Sequence, residues 1–130
     1  MADYFCRLST VLHVGAANVP RALEIYQALA RELEERSDDI GFGASQDAEN
    51  DGALWLLSTE NARPDDVIAF VLSCAEQLKL EGRWGFCWAR SCSRPFVNAF
   101  SGGACLLDLS ARQVLQQIEC DHFLRAALDA

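Results

Sequence analysis

Two parts of the chain repeat the same order of secondary-structure signals. Pro20 precedes the pair Gly41-Phe42 by 21 residues, and Pro64 precedes the pair Gly85-Phe86 by the same interval. Each proline stands where the first turn of a helix is expected, since its missing N–H is not needed there. Each Gly-Phe pair begins a segment with strand character, and another strand pattern precedes each helix. The repeated order predicts an α+β fold of the ferredoxin-like βαββαβ type, an antiparallel sheet with both helices on one face.

Local residue patterns predict the bounds of these elements. Aromatic and β-branched residues with partial alternation predict a first strand over residues 4–14. The turn-forming pair Asp51-Gly52 predicts a hairpin between strands at residues 40–45 and 53–58. Apolar residues at helical spacing predict one helix after Asn18 and a second over residues 64–80, where Asp65 and Asp66 complement the helix dipole.

The C-terminal part of the chain is expected to add a hairpin and a short helix to this sheet. Residues 83–92 and 104–109 have strand patterns, Ser110-Ala111-Arg112 makes a tight connection, and residues 114–119 form the return strand. Asp121 caps a final helix that ends near Leu128. Residues 113–128 also have helical character, so one continuous helix is the alternative; we favour the strand.

Length and composition limit the class of protein. A chain of 130 residues with 51% hydrophobic residues can bury its own core, so we expect a single α+β domain over residues 1–130. The first residues, with Asp3, Arg7 and His13, lack a signal-peptide pattern, and no apolar run is long enough to cross a membrane. We therefore expect a cytoplasmic protein whose six cysteines are thiols rather than disulfides.

The net charge of −8, from 19 acidic and 11 basic residues, argues against nucleic acid as a partner, because phosphate binding depends on Lys and Arg. A basic protein fits the charge better, and a simple solvated surface is the alternative interpretation. The acidic residues proposed to form a surface follow the first helix and surround the predicted hairpin turn: Glu34, Glu35, Asp38, Asp39, Asp47, Glu49 and Asp51.

The segment from Arg83 to Ser93 reads RWGFCWARSCS, with an aromatic residue at every second position. On a strand, Trp84, Phe86 and Trp88 point to one face, and the small residues between them point to the other. The aromatic residues either fill the core under the helices, which we favour, or lie on an open face that binds a partner. The same binding hypothesis includes three residues of the following loop, Arg94, Phe96 and Phe100.

Catalytic and metal sites have weak support in the sequence. The cysteines and histidines form no CxxC or HxxxH pair, so we expect no metal and no cofactor. No residue has the surroundings expected of a catalytic nucleophile. A thiol enzyme or a small-ligand binder that uses Cys92, Arg94 or His122 remains an alternative.

Three segments resemble a group of small, functionally uncharacterised bacterial proteins carried on plasmids and integrative elements. They begin at Gly52 (GALWLLSTENARPDDVIAFVLSCAEQL), at Arg83 (RWGFCWARSCSRPFVNAFSGGACLLDL) and at Cys120 (CDHFL). The resemblance implies a bacterial cytosolic setting and supplies no functional residues.

These observations lead to two hypotheses of function, the first of which has a sharper form. The first is a noncatalytic module that binds another protein through the sheet face or the loop after Ser93. A sharper form is an acidic inhibitor of a nucleic-acid-binding enzyme, of the anti-CRISPR or anti-restriction type, which requires the acidic residues to gather on one surface. The second is the thiol enzyme or small-ligand binder. An exposed aromatic face could also be the contact between two copies of a homodimer.

Overall fold

The computed structural model describes residues 3–94 and 99–130. Within these residues the chain forms three α-helices and seven strands. Their bounds are β1 (Tyr4–Arg7), β2 (Ser9–His13), α1 (Val19–Glu35), β3 (Phe42–Asp47), β4 (Asn50–Ser58), α2 (Pro64–Leu78), β5 (Arg83–Cys92), β6 (Phe100–Asp108), β7 (Gln113–Glu119) and α3 (Cys120–Leu128), with a 3-10 turn at Ala16–Asn18 before α1. The protein is therefore α+β, as the sequence predicts.

The strands form two antiparallel sheets, in the orders β1-β5-β6-β7 and β2-β4-β3. This strand order does not match a simple ferredoxin-like sheet, because the first predicted strand divides at Leu8. Its first half pairs with β5, with Cys6 opposite Arg90, and its second half pairs with β4, with Val11 opposite Trp55. At the division, Leu8 and Ser58 exchange hydrogen bonds, the Leu8 N–H to Ser58 Oγ and the Ser58 N–H to the Leu8 carbonyl.

One buried cluster includes side chains from both sheets and both long helices. The two helices contribute mainly aliphatic residues, and α2 is buried along most of its length. Tyr26, Phe42 and Phe70 pack edge to face or tilted, with ring centroids 5.4–5.9 Å apart. The Tyr26 hydroxyl donates to the carbonyl of Phe42. This aromatic group holds α1 and α2 against the start of β3.

The hairpin turn lies earlier than the sequence predicts. It spans Ala48 and Glu49, between β3 and β4, and a register shift follows Gln46. Gly52 is already inside β4, where its carbonyl accepts the N–H groups of Val14 and Gly15, both at 2.9 Å. The Asp51-Gly52 pair therefore lies where β4 approaches the segment before α1 closely, rather than in the hairpin turn. Local sequence signals are the same for both situations.

The C-terminal part agrees with the strand-plus-helix prediction rather than with one continuous helix. Residues 113–119 pair with β6, and α3 begins at Cys120. Asp121 lies in the first turn of α3 instead of at its cap. Strand β6 begins at Phe100, four residues earlier than predicted. Among the helices of residues 3–94 and 99–130, none has the length and apolar character needed to cross a membrane.

Candidate protein-binding surface

The aromatic stripe of β5 lies in the core. Phe86 and Trp88 are only 7% and 4% exposed, and each neighbouring pair of rings in the stripe lies 5.3 Å apart. Trp84 is half-buried, and its indole N–H donates to the Val11 carbonyl at 3.0 Å. Burial leaves Phe86 and Trp88 without surface to offer a partner, which favours the core interpretation of the stripe.

The opposite face of the same sheet is exposed and apolar. Gly85, Cys87 and Ala89 of β5 are exposed there. The sheet register places Ala104 of β6 between Cys87 and Ile118. An open recess of about 360 Å³ lies on this face, lined by residues of β5, β6 and β7. The small side chains keep the face flat, so a partner can approach the sheet closely.

Beside this face, β7 and α3 expose a group of large apolar side chains. None of the residues of β7 or α3 is buried. We call the following set the C-terminal surface: Phe100, Val114, Leu115, Ile118, Phe123, Leu124 and Leu128. Phe100 is 79% exposed and Leu128 is 82% exposed. Phe100, Leu124 and Leu128 line one recess, and Ile118 and Phe123 line another. Exposed apolar residues grouped in this way are characteristic of interaction sites.

Glu119 fixes the junction of β7 and α3 to the rest of the sheet. Its Oε1 accepts from Trp88 Nε1 at 3.2 Å and from Arg90 Nη2 at 2.8 Å, and its Oε2 accepts from Arg90 Nε at 3.3 Å. The hydrogen bond with Glu119 raises the pKa of Arg90 further above its usual value. A bidentate contact between an arginine and a carboxylate fixes the relative orientation of the two side chains as well as adding energy. The C-terminal surface is therefore presented in a defined orientation.

The charge of the chain is distributed unevenly. Residues 1–82 contain 15 acidic and 6 basic side chains, whereas residues 83–130 contain 4 acidic and 5 basic ones. The first part thus has a net charge of −9 and the second +1. Strands β5 to β7 and α3 all lie in the second part. The exposed apolar surface therefore belongs to a nearly neutral portion of a strongly acidic protein.

The seven acidic residues singled out from the sequence fall into two groups. Glu34, Glu35, Asp38 and Asp39 lie at the C-terminal end of α1 and just beyond it, whereas Asp47, Glu49 and Asp51 surround the β3–β4 turn. Just after that turn, the Gly52 carbonyl accepts hydrogen bonds from Val14 and Gly15, which precede α1. The second group therefore lies near the N-terminal end of α1 and the first at its C-terminal end. The two ends of this 17-residue helix are roughly 25 Å apart. They do not form one continuous surface.

Arg63 partly neutralises the first acidic group. Its Nη1 lies 2.6 Å from Asp38 Oδ1, and its Nε lies 2.8 Å from Asp66 Oδ2. The hydrogen bond from Arg63 holds the pKa of Asp38 below its usual value. Arg63 and Asp38 are well exposed, so their pair orders the segment before β3 more than it stabilises the fold.

The other predicted site residues lie at the end of β5, at the start of β6 and on α3. Arg94 is exposed beyond the end of β5, Phe100 begins β6, and Phe96 lies outside the described residues. Cys92 is at the end of β5 opposite Tyr4, whereas His122 lines a recess on α3 with residues 116–119 and Phe123. In the described part of the chain, no three His, Cys, Asp or Glu side chains are placed to hold a metal ion.

All six cysteines are free thiols with different surroundings. Cys6, Cys74 and Cys105 are buried, Cys92 is half-buried, and Cys87 and Cys120 are exposed. Burial raises the pKa of Cys74 to about 12, and it raises the pKa values of Cys6 and Cys105 as well. The buried thiols are therefore poor nucleophiles at neutral pH.

We expect iodoacetamide to label Cys87 and Cys120 of the native protein first and Cys92 more slowly. Cys6, Cys74 and Cys105 should react only after unfolding, since they lack both access and thiolate. Peptide mass spectrometry over time, with a urea-unfolded sample as control, measures each site. Rapid labelling of Cys74 in the native protein would contradict this arrangement of the core.

No family model, curated protein or solved structure matches this chain. The functional interpretation therefore rests on the geometry above.

Sequence reasoning missed most of the C-terminal surface. It selected Phe100, but it treated Val114, Leu115 and Ile118 only as strand residues and Phe123, Leu124 and Leu128 only as helix residues. Two signals were present. The segment from Gln113 to Ile118 contains no charged residue, and the final helix carries the large apolar residues Phe123, Leu124 and Leu128.

Proposed function

We propose that this chain is a noncatalytic protein-interaction module of the bacterial cytosol, and that the C-terminal surface is its binding site. The observation that carries the proposal is the exposure of seven large apolar side chains on β6, β7 and α3. Within this set, Phe100, Leu124 and Leu128 share one recess and Ile118 and Phe123 share another, and apolar residues grouped in this way are typical of interaction sites. Their contact with another protein would remove them from water.

The position of these side chains supports the proposal. They are not on a frayed end, because Glu119 joins the strand and helix that bear them to Trp88 and Arg90. A presented, oriented surface loses little conformational freedom on binding, which favours affinity. The free state of the six thiols supports the reducing setting of the cytosol.

The arrangement of polar residues supports binding rather than catalysis. Cys92, considered for a thiol enzyme, lies at the end of β5 opposite Tyr4, whereas His122 lies on α3 and lines a recess with residues 116–119 and Phe123. The recess on the sheet face is lined mainly by apolar groups, including Cys87, Ala104 and Ile118. An apolar lining of this kind suits contact with a protein side chain more than a chemical step.

Capture from a bacterial lysate tests the proposal. The tagged protein is immobilised, an untagged copy of the chain is included so that self-binding is counted, and bound proteins are quantified by mass spectrometry. The double variant Phe123→Ser, Leu124→Ser should capture about one tenth or less of the partner that the wild type captures, because apolar anchors dominate binding energy. The matched control is Leu57→Ser, an exposed leucine of the other sheet.

Equal retention by the wild type, the double variant and the control would reject the C-terminal surface as the binding site. Circular dichroism of each variant shows that the fold is retained. Because Phe123 and Leu124 are 59% and 56% exposed, their replacement should change stability little.

A second candidate function rests on the charge distribution. The net charge of −9 in residues 1–82 would attract a basic protein, as an inhibitor of a nucleic-acid-binding enzyme requires. Because the acidic residues fall into two groups at opposite ends of α1, each group would make its own contact. A salt gradient applied to captured proteins separates the candidates: a basic partner leaves at moderate salt, whereas a partner held by the C-terminal surface stays.

A further inference from the structure

The sheet edges of the described residues differ in how they are protected. The outer edge of β1 is covered by the loop before α2. The Cys6 N–H donates to the backbone carbonyl of Glu60 at 3.0 Å, and the Ala62 N–H donates to the backbone carbonyl of Cys6 at 2.9 Å. The outer edge of β2 faces Trp84, whose indole donates to the Val11 carbonyl. Neither of these edges is open to another strand.

The two remaining edges are β3 and β7. Strand β3 has six residues, a register shift after Gln46, and a charged residue at Asp47. Short length, irregularity and charge are the usual protections of an edge strand. Strand β7 is longer, at seven residues, and has no charge before Glu119. The carboxylate of Glu119 is bound by Trp88 and Arg90. The edge of β7 thus has hydrogen-bonding groups without a protecting charge.

We propose that β7 pairs in antiparallel fashion with β7 of a second copy of this chain, so that two four-stranded sheets become one eight-stranded sheet. This inference rests on the proposed function and names the partner of the C-terminal surface. A twofold axis between the two strands makes the contact isologous, and antiparallel pairing of identical strands satisfies that symmetry directly. Helix α3 follows β7 without a loop, so the two copies of α3 flank the new strand pair.

The charge distribution favours a second copy as the occupant. A net charge of −8 on each chain would oppose self-association if it were spread evenly. The charge lies instead in residues 1–82, and the part that contains β7 has a net charge of +1. Two copies that meet at β7 therefore bring nearly neutral surfaces together and keep their acidic parts apart.

The position of the exposed apolar side chains also fits a dimer. Strand β7 contributes Val114, Leu115 and Ile118, and α3 contributes Phe123, Leu124 and Leu128, all at least 36% exposed. The residues of β7 would lie at the new strand pair and those of α3 beside it, so a second copy would cover apolar side chains that are otherwise exposed. Pairing of the strand backbones adds hydrogen bonds to this contact.

Sedimentation equilibrium of the purified full chain tests the proposal. We expect the wild type to have twice the chain mass of 14.3 kDa, with dissociation on dilution. The variant Gln116→Lys places a charge on the exposed edge of β7 in both copies, and we expect it to weaken the dimer about tenfold or more. The matched control is Ser45→Lys, which adds the same charge to the exposed edge strand β3 and should leave the mass unchanged.

Hydrogen exchange of the wild type gives a second readout that needs no substitution. Amides of β7 should become more protected as the protein concentration rises, while amides of β3 should not. A wild type that stays monomeric at all concentrations overturns the second copy as partner. A dimer that resists Gln116→Lys and leaves β7 amides unchanged overturns the β7 contact.

These outcomes are separate from the test of the proposed function. A monomeric protein that captures a different protein through Phe123 and Leu124 overturns the dimer and retains the interaction module. A dimer of the expected kind with no other captured protein supports both statements. Capture that does not depend on the C-terminal surface, from a monomeric protein, rejects both.

Discussion

Replacement of Trp88 by alanine should destabilise the protein by about 3–5 kcal/mol, the usual cost of deleting a buried aromatic side chain. Trp88 is 4% exposed and packs 5.3 Å from Phe86. Its indole N–H also donates to Glu119, so the change removes one of the contacts that hold β7 and α3. Since domains have only about 5–15 kcal/mol of stability, the loss should be evident in urea unfolding followed by circular dichroism.

Trp55→Ala is the matched control for this experiment. Trp55 lies on the outer face of β4, is 41% exposed, and donates its indole N–H to Ser9 Oγ at 2.8 Å. We expect its replacement to cost about 1 kcal/mol or less, the value of one hydrogen bond and a little packing. If the two tryptophan variants lose the same stability, the assignment of the stripe to the core is wrong.

Gly103→Ala should also be strongly destabilising, by about 1–3 kcal/mol, because the site is already filled. Gly103 lies opposite Trp88 in the sheet. A Cβ atom there would be closer than 3.0 Å to the Trp88 ring and to the carbonyl oxygen of Ile118. The ring cannot move aside freely, since Phe86 and Glu119 hold it. Thermal and urea unfolding measure the change.

Gly43→Ala provides the control, because it makes the same chemical change on a strand with open space. The nearest atom to a Cβ at Gly43 is the Leu57 carbonyl oxygen, 4.0 Å away. We expect no loss and up to about 1 kcal/mol of gain, since alanine restricts the unfolded chain more than glycine. Tolerance of alanine at Gly103 would show that β6 and the Trp88 indole do not approach as closely as the structure describes.

Local signals predicted much of the secondary structure. Pro64 does begin α2, and residues 113–119 do form a strand, because helix starts and strand patterns are determined largely by nearby residues. The pairing of the first strand was not predictable in the same way. Its division at Leu8 depends on hydrogen bonds with Ser58 and Glu60, about 50 residues away, and no pattern within residues 4–14 reports those partners.

The candidate surface was less predictable than the fold. The unusual composition of the aromatic stripe of β5 indicated either a core or a binding face, because composition does not tell which face of the strand is buried. The residues that are exposed, such as Ile118 and Leu124, have ordinary strand and helix patterns. Their exposure follows from how β7 and α3 pack, since no residue of either element is buried, and local patterns do not report that packing.

The division at Leu8 also determines the order in which the molecule can be assembled during synthesis. The N-terminal segment is joined to the end of β5, where the Asp3 N–H donates to Ser93 Oγ and the Ser93 N–H donates to the Asp3 carbonyl, at a separation of 90 residues. Strand β2, by contrast, finds β4 as soon as residues 50–58 have been made. During synthesis the second strand can therefore pair early, whereas the first strand has only the segment at Glu60–Ala62 to bond until residues 83–92 have been made.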